Sequence, residues 1–388
     1  MKLPPIVCIS DSDWNYQWQR NHALMSSFAN RGVPVLFVEN MGGRSPGLKD
    51  WARIRQRAQR LTCQFFRGEQ RVGNVTVLSL AVLPFQSGWA RWINRAIFKS
   101  LILKKVENWL GSVTNPIVWT YSPSFLGIEL AKALKPSFWI YDPPFVLKTH
   151  PQASQRLIDT EAALCNRVDV ILVAAKATCD VYKKINPNTY LVTHGVDFEL
   201  FAQAENCFEP AEIRGCKRPR LGFFGTLGWW VDYDLLRCFA IEHPTWTIVL
   251  IGPSKVSLSS LMTIPNIILL GAKEHAELPA YLNAMDVLCI PYLVDKFTDG
   301  VLPAKTYETL ASGKPVVSTP IAEMAALQDV IYVADQHTFG QAVESALAND
   351  SVGLKQQRLE VARQNSWESR VDMLIEMLQD GLEKKAIR

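Results

Sequence analysis

Short apolar runs alternate with longer amphipathic stretches along most of the chain. In the first half, the apolar runs predict buried strands at Pro5–Ser10, Val33–Val38, Val75–Leu80, Ile117–Trp119, Phe138–Tyr141, Val170–Val173 and Tyr190–Val192. The stretches between them predict helices at Trp18–Asn30, Trp89–Leu110, Phe125–Leu134, Gln155–Arg167 and Lys176–Lys184. Strands that alternate with crossover helices are typical of a parallel, doubly wound sheet.

The periodicity lapses between Asp197 and Arg220 and then resumes. The second series predicts strands at Arg220–Phe224, Thr247–Ile251, Ile267–Leu270, Val287–Ile290, Pro315–Thr319 and Val330–Val333. Its predicted helices are Tyr233–Glu242, Leu278–Ala284, Pro303–Ser312 and Thr338–Leu347. The sequence therefore predicts an α/β protein with two doubly wound, Rossmann-like domains facing a cleft. We place them at residues 1–200 and 201–365, with residues 366–388 as a C-terminal helix packing back across both.

The stretch from Asp299 to Val317 is the most informative part of the second series. Pro303 suits the first position of a helix, and Gly313 suits the left-handed residue that follows its last turn. Lys305 and Glu308 are three residues apart and share a face. A cation at a helix start favours an anion, and a carboxylate nearby can accept hydrogen bonds from hydroxyls. This chemistry suits a nucleotide or a sugar nucleotide; a solvated Lys–Glu pair is the alternative.

Glycines and titratable side chains follow several predicted strands, where doubly wound sheets bind ligands. Gly225 and Thr226 leave the first strand of the second domain, where a glycine lets backbone amides approach a diphosphate. In the first domain we single out four candidates, each of which could act as a general base or hold a sugar hydroxyl: Asp142, His150, Asp13 and His22. The alternative for the aspartates is a helix cap or a turn.

Composition and charge narrow the classes of protein further. The 388 residues are 48% hydrophobic and 20% charged, with a net charge of +4, which is too balanced to indicate a nucleic-acid-binding protein. Eight scattered cysteines without a Cys-x-x-Cys pair favour reduced thiols in the cytoplasm. Two basic, aromatic segments, Lys49–Arg71 and Trp89–Leu110, favour peripheral binding to the inner face of a membrane, with solvated basic faces over packed apolar ones as the alternative.

Six segments together resemble a known family: His194–Asp197, Gly222–Gly225, Val249–Pro253, Asn266–Gly271, Glu277–Leu282 and Pro303–Val317. Their order and spacing are similar to those of GT-B glycosyltransferases of the retaining, glycogen-synthase-like superfamily, near the bacterial sugar transferases of the cell surface.

The resemblance implies that the second domain binds a nucleoside diphosphate sugar. Glu308 would bind the ribose hydroxyls, and Lys305 with the Gly225–Thr226 loop would hold the diphosphate. The first domain would bind a glycan or lipid-linked acceptor, with Asp142 and His150 as candidate catalytic residues and Asp13 and His22 as acceptor-side candidates. Transfer would retain the anomeric configuration and need neither a metal nor a cofactor besides the donor substrate.

Two departures from the family pattern stand out. The superfamily usually has a glutamate eight positions before Glu308, where this chain has Gly300 beside Asp299. Many members also place an arginine and a lysine after the glycine loop, where this chain has Trp229, Trp230 and Asp232. Two alternatives therefore stay open: a sugar-nucleotide epimerase or phosphorylase on the same scaffold, and an inactive partner that binds sugar nucleotides.

Overall fold

The computed structural model describes residues 2–15, 18–39, 70–79 and 99–387. The chain divides into two compact units. The first comprises Met1–Val173, Thr178–Val192 and Val371–Arg388, and the second comprises Ala174–Ala177 and Thr193–Arg370. Each unit is built around one mainly parallel sheet.

The described residues of the first unit form a sheet of eight strands in the order β3-β4-β2-β1-β5-β6-β7-β8, in which β3 is antiparallel to its neighbour and the others are parallel. These strands are β1 (Ile6–Ile9), β2 (Val35–Val38), β3 (Gln70–Val72), β4 (Val75–Leu78), β5 (Ile117–Thr120), β6 (Phe138–Tyr141), β7 (Val170–Val173) and β8 (Thr189–Leu191). The helices described here are α1 (Arg20–Asn30), α2 (Lys99–Leu110), α3 (Phe125–Leu134), α4 (Gln155–Cys165) and α5 (Lys176–Lys183).

The central strand β1 lies between β2 and β5, and all four of its residues are buried. Such continuous apolar runs are typical of parallel strands that are covered on both faces. The register pairs Ile9 with Val38 and with Thr120, so the carboxyl ends of β1, β2 and β5 are level. Residues that follow these strands are therefore brought to one edge of the sheet.

The second unit contains six parallel strands in the order β11-β10-β9-β12-β13-β14. They are β9 (Arg220–Phe224), β10 (Thr247–Ile251), β11 (Ile267–Gly271), β12 (Val287–Ile290), β13 (Val316–Ser318) and β14 (Tyr332–Val333). The helices are α6 (Phe198–Ala202), α7 (Ala211–Arg214), α8 (Tyr233–Glu242), α9 (Ser259–Met262), α10 (Leu278–Asn283), α11 (Thr306–Ala311), α12 (Ala322–Ala325), α13 (Phe339–Ala348), α14 (Val352–Gln364) and α15 (Trp367–Ile387), the last continuing into the first unit. Strands β9 and β12, where the order reverses, occupy the centre.

Several predicted elements differ from those observed. The helix predicted at Pro303–Ser312 begins three residues later, because the Pro303 carbonyl accepts hydrogen bonds from both the amide and the hydroxyl of Thr306 and forms a turn there. The helix α14 and the short strand β3 were not predicted. The stretch after Asp197, predicted as an irregular connection, contains the two short helices α6 and α7.

Parts of the predicted basic segments lie outside the described residues, namely 49–69 and 89–98. The helix α15 packs closely on the first unit, since a Cβ atom at Gly381 would lie 2.6 Å from the Phe138 ring. Near its end Lys385 donates to the Ser137 carbonyl and pairs with Asp169. Across the part of the chain that is described, no helix combines the length and apolarity that a membrane span requires.

Candidate nucleotide-sugar site

Two glycines shape the loops at the carboxyl ends of β9 and β10. Gly225 has φ +117° and Gly252 has φ +142°, values that L-residues with a side chain rarely adopt. A Cβ atom at Gly252 would lie 2.0 Å from the Gly225 carbonyl oxygen, so the two backbones are in contact. The Gly225 amide donates to the Ile251 carbonyl at 2.8 Å. Thr226 follows, half-buried, where the chain leaves the sheet.

Lys305 brings an ammonium group to this glycine loop. A Cβ atom at Gly225 would lie 2.7 Å from Lys305 Nζ, so only glycine allows this approach. The ammonium lies 4.5 Å from the Phe223 ring centroid and 5.0 Å from that of Tyr292, and it donates to the Tyr292 hydroxyl at 2.9 Å. The side chain is 7% exposed. Among the described residues, no carboxylate forms an ion pair with the Lys305 ammonium. Its positive charge instead contacts two aromatic rings and a phenol hydroxyl.

Tyr292 is held in place from both sides by backbone contacts. Its amide donates to the Thr319 hydroxyl, which in turn donates to the Tyr292 carbonyl at 2.6 Å. An isolated antiparallel bridge joins Tyr292 to Val231 in the loop after β9. The phenol that contacts Lys305 is therefore fixed by the loops that follow β9, β12 and β13.

Glu308 lies in the first turn of α11, half-buried, and faces a histidine from another element. His275 Nε2 lies 3.2 Å from Glu308 Oε1, and the imidazole packs edge-on against Phe201 at 5.3 Å between ring centroids. The Glu308 side chain keeps 19% of its surface exposed. The carboxylate is thus oriented by one neighbour and still accessible to hydroxyl donors.

The departures from the family pattern have defined structural roles. Asp232 caps α8 by accepting a hydrogen bond from the Leu235 amide at 2.8 Å. Trp229 packs against Phe297, with ring centroids 4.8 Å apart, so aromatic rings join the loops after β9 and β12. Asp299 is half-buried in a 3-10 turn, where its amide donates to the Asp295 carbonyl.

In the first unit, Asp142 lies directly after β6 and is 1% exposed. Arg20 Nε donates to both carboxylate oxygens at 3.0 Å, and the Trp119 indole donates to one of them at 3.2 Å. Burial raises the pKa of Asp142, and the Arg20 guanidinium opposes that shift. Because the guanidinium contacts both oxygens, we take the pair to be ionic. The sequence placed Asp142 at this edge but did not reveal its partner.

Of the other three first-unit candidates, His22 and Asp13 are in contact, and His150 lies in another loop. His22 is fully buried; its Nδ1 accepts from the Gln19 amide at 3.2 Å, and its Nε2 lies 3.2 Å from the Asp13 carbonyl oxygen. Asp13 is half-buried, and its backbone thus contacts His22. His150 stacks on Phe145 in another loop, with its Nδ1 accepting from the Gln152 amide. The catalytic and acceptor-side roles of all four stay predictions.

The sequence did not pair three neighbours with their partners: Tyr292, His275 and Arg20. Each contacts its partner across a long stretch of chain, 13 residues for Tyr292 to Lys305, 33 for His275 to Glu308 and 122 for Arg20 to Asp142. For two of them the sequence offered their position as a signal. Tyr292 closely follows a predicted strand, and Arg20 lies near the start of a predicted helix, both at a carboxyl edge.

Part of the chain is similar to known proteins. Residues 218–349 match the family described as glycosyl transferases group 1. A Bacillus subtilis (strain 168) protein named as a teichuronic acid biosynthesis glycosyltransferase, TuaH, is 30% identical over 188 residues, which are 46% of this chain and 47% of that protein. The match thus spans about half the length of this curated relative.

Solved structures resemble the chain over nearly its whole length. A sucrose-phosphate synthase from Thermosynechococcus elongatus has a TM-score of 0.70 at 15% identity, covering 97% of this chain and 98% of the other. The Anabaena protein HepE, solved with UDP and glucose, has a TM-score of 0.69 at 13% identity, covering 97% and 99%. At such identities the likeness shows the fold. The chain therefore has the GT-B fold, and residues 218–349 of its second unit match the group 1 glycosyl transferases.

Proposed function

We propose that the chain transfers a sugar from a nucleoside diphosphate sugar to a hydroxyl of a glycan or lipid-linked acceptor during synthesis of a cell-surface polysaccharide. The observation that carries the proposal is the Lys305 ammonium, which is buried against the Gly225 loop and has no carboxylate partner among the described residues. A buried cation without a counter-ion is energetically costly, and a bound diphosphate supplies the missing negative charge.

Each donor-side residue has a role that follows from its contacts. The Gly225–Thr226 loop brings backbone close to the Lys305 amine, so that a diphosphate there would meet both. Charge grows on the leaving diphosphate during transfer, and a preoriented cation stabilises that charge more in the transition state than in the ground state. Glu308, oriented by His275, would accept the ribose hydroxyls. The helix α11 contributes less than the sequence suggested, because the Thr306 amide already donates to the Pro303 carbonyl.

The acceptor and the stereochemistry are proposed on broader grounds. The relative named for teichuronic acid biosynthesis supports a polysaccharide acceptor, and HepE, with UDP in its structure, supports a uridine nucleotide as the first donor to test. Retention of the anomeric configuration follows from the resemblance in motifs. Binding to the inner face of the membrane rests on the two basic segments of the sequence. Proton NMR of the product anomer and sedimentation with anionic vesicles test these two points.

Thermal unfolding with nucleotides tests the donor site directly. A ligand that binds only the native state raises the melting temperature, so UDP at millimolar concentration should stabilise the protein. Lys305→Met should lose most of this shift, whereas Lys217→Met, an exposed lysine of the same unit, should keep it. If neither UDP nor a panel of other nucleoside diphosphates shifts the melting temperature, the proposal is wrong.

The position of Gly300 favours one second candidate, a partner that binds a sugar nucleotide without transferring the sugar. Asp299 is the nearest carboxylate in sequence to the missing glutamate, and its backbone is held in the 3-10 turn. Turnover of a bound UDP-sugar in the presence of acceptor or water would exclude this candidate. An epimerase would instead convert the donor with no acceptor present, which chromatography of the nucleotide sugars detects.

A further inference from the structure

A cavity of about 470 Å³ opens at the amino-terminal edge of the first sheet, opposite the edge at which Asp142 lies. Val33 and Val35, where the chain enters β2, are buried and give the cavity an apolar base. The end of α1, the hairpin of β3 and β4, and α2 contribute its other sides. A concave site of this volume with an apolar base and a few polar groups is the usual form of a small-molecule site.

The β3–β4 hairpin brings a cation and a hydroxyl to this cavity. Its turn consists of Gly73 and Asn74, and Gly73 has the left-handed φ of +58° that tight hairpin turns require. The antiparallel register places Arg71 opposite Thr76, so both side chains lie on one face of the hairpin. Both residues line the cavity.

The Arg71 guanidinium is largely free to bind a ligand. Its Nε donates to the Gly73 carbonyl oxygen at 3.3 Å, and its two Nη groups have no partner among the described residues. Arg71 is also the one charged side chain among the described residues that line the cavity. A guanidinium with both terminal nitrogens free can bind a carboxylate through two parallel hydrogen bonds.

Two amide side chains lie next to this cation. Asn74 Nδ2 donates to Asn30 Oδ1 at 3.0 Å, which joins the hairpin to the last residue of α1. The Asn30 amide nitrogen and the Asn74 amide oxygen have no further partner within the described part of the chain. A donor and an acceptor held close together suit sugar hydroxyls, which both donate and accept hydrogen bonds.

Trp109 adds an aromatic surface from α2. The buried residues of this helix are Ile102, Val106 and Leu110, at helical spacing. Trp109 is half-buried and packs at the margin of the same core. Its indole lines the cavity, and the indole N–H has no hydrogen-bond partner in the described ranges. An indole offers a flat apolar surface on which the C–H face of a pyranose can pack, together with one donor.

Charge decides between possible ligands. A neutral sugar would leave the Arg71 guanidinium without a charged partner. A phosphate dianion is disfavoured, because the cavity has one cation and the end of α1 that lies beside it is the negative end of the helix dipole. A sugar with a single carboxylate matches the one guanidinium, the two amides and the indole.

We propose that this cavity is a glycan site for a sugar residue that carries a carboxylate, such as a hexuronate. Arg71 would bind the carboxylate, the Asn30 and Asn74 amides would bind hydroxyls, and Trp109 would pack on the ring. The inference rests on the proposed function, because it takes the ligand to be part of the polysaccharide that the protein extends. The site lies away from the acceptor-side candidates and would keep the growing polysaccharide bound between transfers.

Two-dimensional ¹H–¹⁵N NMR of the full-length protein, labelled at its twelve tryptophans, tests the site. The Trp109 indole signal is identified by its loss in Trp109→Phe. Methyl β-glucuronoside at millimolar concentration should shift this signal, with saturating UDP present to occupy the donor site. Methyl β-glucoside, which has the same ring without the carboxylate, should bind about fivefold more weakly.

Three variants make the result specific. Arg71→Met should weaken binding of the glucuronoside about fivefold and remove its preference over the glucoside. Arg71→Lys keeps the charge and loses the planar fork, so it should recover part of the affinity. Arg167→Met, which changes an exposed arginine before β7 and outside the cavity, should leave the affinity unchanged. Circular dichroism confirms that all three variants are folded.

Several results would overturn the glycan site. The Trp109 signal would not respond to the glucuronoside, or it would respond equally to the glucoside. Tighter binding of glucose 6-phosphate than of the glucuronoside would make the cavity a phosphate site instead.

Thermal unfolding with UDP separates this proposal from the proposed function. If UDP stabilises the protein and the glucuronoside does not bind, the glycan site is wrong and the donor site survives. If the glucuronoside binds as expected and no nucleotide does, the cavity is a sugar site and the proposed function is wrong.

Discussion

In each unit a buried cationic side chain lies beside the carboxyl ends of parallel strands, and the surroundings of these two cations differ. In the first unit, Arg20 meets the Asp142 carboxylate, and the two charges neutralise each other. In the second, Lys305 meets the rings of Phe223 and Tyr292 and a phenol oxygen. In the first arrangement the two charges balance without a ligand. The second leaves a net positive charge where an anionic donor would bind.

On the proposed function, this contrast separates a residue that holds the fold from a residue that binds a ligand. Removing one member of a complete buried ion pair costs stability, because it strands the other charge. Removing a buried cation that lacks a counter-ion costs little stability and relieves a desolvation penalty, while the affinity for an anion falls. We expect the largest effect on stability from Arg20 and smaller effects from the donor-side residues and His22.

Arg20→Ala should lower the free energy of unfolding by about 3–5 kcal/mol, because it leaves the Asp142 carboxylate buried without its cation. Calorimetric or urea unfolding measures this. The double variant Arg20→Met with Asp142→Leu replaces the pair by apolar groups and should recover most of the loss. If Arg20→Ala had the same free energy of unfolding as the parent, the Arg20–Asp142 pair would not stabilise this edge of the sheet.

Lys305→Met should weaken UDP binding by about 2 kcal/mol, or roughly thirtyfold, because a hydrogen bond to a charged group is lost. Its free energy of unfolding should change by less than about 1 kcal/mol, in contrast to Arg20→Ala. Isothermal titration calorimetry provides the affinity. Tyr292→Phe keeps the amine and both rings and should lose less than about fivefold. If Lys305→Met strongly destabilised the protein and left the UDP affinity unchanged, Lys305 would stabilise the fold, as Arg20 does, and would not bind the donor.

Glu308→Gln should weaken UDP binding by about 1–1.5 kcal/mol, since the carboxylate would accept hydrogen bonds from the ribose hydroxyls. The sharper measurement compares UDP with its 2′,3′-dideoxy analogue. The parent protein should prefer UDP about tenfold, and the variant should bind both alike. An equal preference in both proteins would place the ribose elsewhere.

His22 gives the smallest effect, a pH dependence confined to the first unit. Burial lowers the pKa of His22 in the folded protein. The unfolded chain, in which the histidine has a pKa of about 6.5, therefore binds the proton more readily. The stability that the neutral imidazole contributes is therefore present above pH 6.5 and is lost as the pH falls, by at most about 1.4 kcal/mol per pH unit.

Melting temperatures between pH 7.5 and 5.5 measure this loss. His22→Gln should show a shallower decline than the parent, while His337→Gln, which changes an exposed histidine, should follow the parent curve. Identical slopes for all three proteins would show that His22 takes up its proton equally well in the folded state.

Much of the fold follows from the apolar pattern. The predicted ranges Phe138–Tyr141, Val170–Val173, Arg220–Phe224, Thr247–Ile251 and Val287–Ile290 match observed strands at both ends. These strands are buried along their length, so solvent exclusion acts on every residue and the pattern is unambiguous. The start of α11 was missed because a proline suits both a helix start and the turn that precedes it.

The sequence alone determined which residues line the carboxyl edges, including Gly225, Lys305 and Glu308, because local chemistry sets where strands stop and glycines turn. Only the tertiary structure decided what these side chains meet. Whether a buried cation faces a carboxylate or an aromatic ring depends on strands and loops distant in the chain, whose pairing no local pattern encodes. For that reason Arg20 and Lys305, which are similar as charges in the sequence, have different surroundings in the folded protein.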